Sequence, residues 1–181
     1  MTAPKTKKAG KAGSTSKAAV PATIDLTGAT AGTGLPAALQ NLSIRIVEET
    51  HVRASIATTF EALLEELGPG NLGYQDVPMP LTLEAWPGGR WFRDLGADNG
   101  HLWGHVQAIK RPTLIEIVGP LMMSFAVASN VQYRLKEVDG GTLVTLRHTA
   151  LGLFPQDGYR DALGEGWKML FNRLHLRFKK A

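Results

Sequence analysis

At 181 residues, 44% hydrophobic and 20% charged, the chain is long and apolar enough to bury the core of one domain. Its formal charge of +4 comes from one end: residues 1–17 hold five lysines and no acid, leaving the remainder near neutral, which argues against a nucleic-acid-binding domain. There is no cysteine, so disulfide frameworks, thiolate zinc sites and cysteine nucleophiles are excluded, and no apolar run approaches the ~20 residues of a membrane span.

Residues 1–40 are Ala, Gly, Ser, Thr, Lys and Pro with few large apolar side chains, a composition that cannot offset its own ordering entropy. They are expected to form a disordered arm ahead of a domain spanning 41–181. Gly28, Gly32 and Gly34 make no phosphate loop, because no Gly-Lys-Ser/Thr follows them. Lacking an apolar run after its lysines, the N-terminus does not read as a secretory signal, so a cytoplasmic location is expected.

From Leu42 the residues alternate: Leu42, Ile44, Ile46, Glu48, Thr50 and Val52 share one face, predicting a strand. Ser55 is placed to cap a helix whose apolar face is Ile56, Phe60, Leu63, Leu64 and Leu67. Gly68 is expected to close it in the left-handed conformation, with Pro69 preventing continuation. A loop over 70–80 follows. Strands are predicted over 81–86 and 90–95, flanking Pro87-Gly88-Gly89, then over 101–110, 113–118, 126–137 and 142–149. The last two are joined by Asp139-Gly140-Gly141, a strong hairpin signal, and tight turns between consecutive strands predict an antiparallel meander.

The final element is a long helix. Asp157 is a candidate cap, and Tyr159, Ala162, Leu163, Gly166, Trp167, Leu170, Phe171, Leu174 and Phe178 form a sustained stripe. Arg177, Lys179 and Lys180 suit its C-terminal dipole. Gly164 and Gly166 each cost about 1 kcal/mol in a helix interior. They predict either a bend or a close helix–sheet approach that leaves room on the other side.

The order strand, short helix, meander and long helix resembles the START-like helix-grip fold. Val52-Arg-Ala54 through Phe60-Glu-Ala62-Leu63 resembles the opening signature of the SRPBCC superfamily, with Ser55 where a proline is usual. Pro87-Gly88-Gly89-Arg90, Gly104-His-Val106, Arg111-Pro112, Gly141-Thr142 through His148, and Gly166-Trp167 with Leu170 and Leu174 continue the match in order. Together they are similar to the branch of heat-shock-protein ATPase activator homologues, over about residues 42–178. The resemblance implies an α+β helix-grip fold, a curved antiparallel sheet of six or seven strands around the C-terminal helix, with an apolar cavity between them. Relatives bind lipids, sterols, polyketides or plant hormones there, and some are cyclases or dehydratases. The tryptophan-rich segment usual after the first helix is replaced by Gly70-Asn-Leu-Gly-Tyr74, and the activator's partner-binding domain has no counterpart in these residues.

Among candidate chemical groups, His101 and His105 lie four residues apart in a strand, about 13 Å between Cα atoms, too far to share a metal. Both are expected to face solvent. His148 shares its face with Val144 and Leu146, which places an imidazole at the inner surface of the sheet, either as a ligand contact or as a hydrogen-bonded core histidine. Glu48 and Thr50 pose the same question on the first strand, where a buried carboxylate needs a partner, a ligand or a bulge. The aromatic set of Trp86, Trp91, Phe92, Trp103, Tyr133 and Trp167 suits an apolar wall, and Met122 and Met123 suit a cavity mouth. Cavity candidates are therefore Glu48, Thr50, Trp86, Trp103, Met123, Tyr133, His148, Trp167, Leu170 and Phe171.

The function expected is binding of a small hydrophobic molecule between sheet and helix, without cofactor or metal, specific nucleic acid or membrane span; a homodimer is left open. Two alternatives stand beside it: a cyclase- or dehydratase-like enzyme using His148 and Glu48, and a chaperone-associated interaction module. With one lone histidine as candidate acid or base, catalysis is not the expected reading.

Overall fold

The computed structural model describes residues 42–154 and 158–179. The proposed arm, the Asp157 cap and Lys180 lie outside the described residues.

Ten consecutive alternating residues form β1 (Ser43–Val52), and α1 (Ile56–Leu67) follows at once. The Ser55 hydroxyl accepts the Thr58 N–H at 3.2 Å, as its position before the apolar face predicts. α1 ends at Gly68, but not in the left-handed form expected: its φ is −117°. The glycine is required instead by close approach, because a Cβ there would stand 2.9 Å from the Leu64 carbonyl oxygen.

The loop after α1 folds back on itself. Met79 N–H donates to Asn71 O, the Asn71 side-chain amide donates to Met79 O, and Gly73 N–H donates to Val77 O. A single 3₁₀ turn, Tyr74–Asp76, sits at its tip. β2 (Thr82–Leu83) is only two residues long, shorter than the segment expected over 81–86, because Glu84 turns aside. Its carboxylate and the Arg90 guanidinium clamp the Pro87-Gly88-Gly89 turn.

β3 (Arg90–Gly96) and β4 (Asn99–Lys110) meet in a two-residue turn of Ala97 and Asp98, both at positive φ (48° and 60°). β5 (Leu114–Gly119), β6 (Val127–Val138) and β7 (Gly141–Gly152) complete the meander, with Gly140 at φ 76° in the β6–β7 turn. The sheet is antiparallel and unclosed, ordered β1-β7-β6-β5-β4-β3-β2, so β1 and β2 are its two edges.

α2 (Tyr159–Arg177) is 19 residues long and packs on the sheet, making its contacts there mainly with β1, and also touches α1. Its buried stripe is Leu163, Trp167, Leu170, Phe171 and Leu174, narrower than the sequence predicts: Ala162 and Gly166 are exposed. Inward residues of the strands, among them Ile115, Ile117, Val131, Tyr133, Val144 and Leu146, meet that stripe and the Phe60 face of α1 in one core. This is the α+β helix-grip architecture.

Candidate functional site

Alternation in β4 is broken by a bulge. Trp91 pairs with Gly104 and Phe92 with Leu102, which leaves Trp103 as the extra residue. The bulge turns Trp103 inward, 6% exposed, while its neighbour Leu102 is 45% exposed. Trp103 meets the buried Trp91 edge-to-face at 5.0 Å between ring centroids. The Trp91 indole donates to Leu67 O at 2.6 Å, tying β3 to the end of α1. Among the described residues no hydrogen-bond partner meets the buried Trp103 Nε1.

These two indoles form one wall of a hollow of about 360 Å3. Leu163, Trp167 and Leu170 of α2 face them, and Leu72 and Met79 of the folded loop close another side, with Met122 from the β5–β6 connection at the rim. Gly166 borders the hollow, and a Cβ added there would touch nothing within 4 Å. A Cβ on Gly164 would also meet open space, so the two glycines mark room and neither serves a close helix–sheet approach.

Arg173 stands at one end of the hollow. Its guanidinium reaches Glu66 of α1 (3.3 Å), Leu72 O (3.5 Å) and Asp76 (3.6 Å), and Arg177 comes within 3.9 Å of the same glutamate. This network pins the loop wall to both helices. Glu66 and Arg173 are only 11% and 18% exposed, so each charge depends on the other.

Behind the hollow lies a polar relay in the core. His148 on β7 is fully buried, and the Trp167 indole donates to its Nδ1 at 3.1 Å. Nδ1 therefore carries no proton, and Nε2–H donates to the Ser129 hydroxyl at 3.2 Å. Burial lowers the His148 pKa from 6.5 to about 4, so the ring is neutral at pH 7. Both ring nitrogens are already engaged within the protein, as in the core-histidine reading. Tyr133 is buried beside it, edge-on to Trp167 at 6.2 Å and tilted on Phe171 at 6.3 Å, its hydroxyl without a partner among the described residues and its pKa raised by burial.

Of the sequence candidates, Trp103, Trp167 and Leu170 border the hollow. His148, Tyr133, Phe171 and Met123 are buried in the core beside it, and Met122, not Met123, reaches the rim. Trp86 does not join the wall: at 57% exposure it sits in the β2–β3 turn, where the Glu84 clamp turns the chain outward. Glu48 and Thr50 are half-buried on β1. Glu48 borders a different, open cleft of about 500 Å3 with Gly164 and Lys168, and no hydrogen bond joins it to His148. His101 and His105 face solvent as expected.

Asn71, Leu72, Met79, Met169 and Arg173 were not singled out by the sequence. The loop gave no periodicity to follow, and Arg173 lies on the flank of the helical stripe.

The family model for Activator of Hsp90 ATPase homolog 1-like protein matches residues 53–179. The chain belongs to that family. No curated protein sequence matches it. Among solved structures, a putative uncharacterized protein from Rhizobium leguminosarum is 20% identical, covering 77% of this chain and 96% of its own, at a TM-score of 0.57. The di-domain ARO/CYC StfQ from the steffimycin biosynthetic pathway is 14% identical over 79% of this chain and 52% of its own, at 0.54. The protein Ara h 8.0201 is 12% identical over 77% and 99%, at 0.56. At these identities the likeness concerns the fold, which is the SRPBCC helix-grip fold.

Proposed function

We propose that this family member binds a small, largely uncharged hydrophobic molecule in the hollow between α2, the 71–79 loop and the β3–β4 wall. The observation that carries the reading is a hollow of about 360 Å3 whose walls are three indoles, leucines and methionines. Its volume falls within the ~300–1,000 Å3 of small-molecule sites. The charged groups bordering it are already paired, Arg173 with Glu66 and Asp76 and Glu165 with Lys168, so a charged ligand would gain little there. The StfQ likeness is in keeping with a fold that hosts such ligands, and carries no substrate across.

Three of the four tryptophans border the hollow, so occupancy should change intrinsic fluorescence. The test uses N-phenyl-1-naphthylamine, an uncharged apolar fluorophore. Saturable binding with quenching of tryptophan emission is expected. Gly166→Leu, which favours the helix and projects into the hollow, should weaken it at least ~10-fold without loss of helical signal. Absent binding, or affinity untouched by Gly166→Leu, would overturn the assignment.

A further inference from the structure

The sheet is unclosed, and among the described residues its ten-residue β1 edge has a strand neighbour, β7, on one side only. Along it the open cleft of about 500 Å3 runs past residues 43–48, where α2 contributes Gly164 and leaves space. We propose that this edge pairs antiparallel with β1 of a second copy of the chain, joining two sheets into one.

The register follows from the backbone. Gly152 N–H donates to Leu42 O at 2.8 Å, and the β1–β7 pairing continues without a shift to Val52. Hydrogen-bonded pairs alternate along an antiparallel ladder, so residues 44, 46, 48, 50 and 52 exchange bonds with β7. Residues 43, 45, 47 and 49 turn their N–H and C=O groups to the free edge, whereas the outward His51 carbonyl already accepts from His175 Nδ1 at 2.8 Å. Two copies can satisfy those groups around a two-fold axis centred on Val47.

That register also matches the side chains. Val47, 46% exposed, faces Val47 of the second copy, and Arg45 faces Glu49 of the second copy twice. Centring the axis on Arg45 or on Glu49 would set like charges face to face. Centring it on residues 46 or 48 would leave Arg45 and Glu49 without each other. Cross-strand opposite charges are stabilising and like charges destabilising, so the sequence selects one pairing. Long apolar-bearing edges invite partners unless charges blunt them, and here the two charges are complementary under the two-fold.

The experiment uses the full chain in native mass spectrometry and light scattering across the micromolar range. A dimer is expected. Arg45→Glu should raise its dissociation constant about tenfold or more, by converting two attractive pairs into repulsive ones, and the double variant Arg45→Glu/Glu49→Arg should restore it. Independently, because the chain lacks cysteine, Val47→Cys provides a unique thiol on the axis. It should be joined to its symmetry mate by a short bismaleimide, whereas Leu95→Cys, more exposed at 60% in the β3–β4 hairpin, should not. A monomer at every concentration, a dimer indifferent to the charge swap, or equal cross-linking of both thiols would overturn the proposal.

Discussion

His148 sets a pH limit on stability. In the unfolded chain its imidazole takes up a proton near pH 6.5, while in the native core it resists until about pH 4, because charging it would desolvate an ion and displace the Trp167 N–H from Nδ1. Between those values the unfolded state binds more protons, so stability is complete above pH 6.5 and falls as the pH drops toward 4. The loss attributable to this residue is about 3 kcal/mol. Urea unfolding at pH 7, 5.5 and 4.5 should show it, and His148→Gln should flatten that segment of the difference curve; parallel curves would refute the assignment. The residue's inward face was legible from the Val144–Leu146–His148 alternation. Its partners were not, since Ser129 and Trp167 come from other elements.

At the scale of elements, local chemistry accounts for where helices start and what they leave open. The Ser55 hydroxyl satisfies an otherwise free N–H of α1, so Ser55→Ala should destabilise by about 1 kcal/mol. Gly164 in α2 has neither a positive φ nor a neighbour where its Cβ would stand, so Gly164→Ala should stabilise by about 0.5–1 kcal/mol. Thermal denaturation of the two variants should therefore shift in opposite directions. The strand boundaries were read to within a few residues wherever turns carried glycine, as at Gly140. They were misjudged at β2, where a salt bridge across the turn decides the path.

For the whole molecule, the hollow depends on a joint between α1, the loop and α2. Removing Arg173 strands Glu66 at 11% exposure with only the more distant Arg177 for company. Arg173→Leu should cost about 1–3 kcal/mol. It should also speed hydrogen exchange at the amides of Gly73 and Met79, whose bonds hold the loop closed. Unchanged exchange there would mean that the loop stands without its tether. Among the described residues no helix is long and apolar enough to cross a membrane, and the architecture is one sheet gripping one helix.

The amino-acid order alone determined the element sequence, the antiparallel meander and the family, because periodicity, caps and glycine turns act over a few residues. Only the tertiary structure decided which side chains border the hollow, that Glu48 and His148 serve different surroundings, and that an arginine off the apolar stripe anchors its wall. Those outcomes arise from bulges, long-range ion pairs and packing between elements far apart in the chain, interactions that leave no local period for a sequence to display.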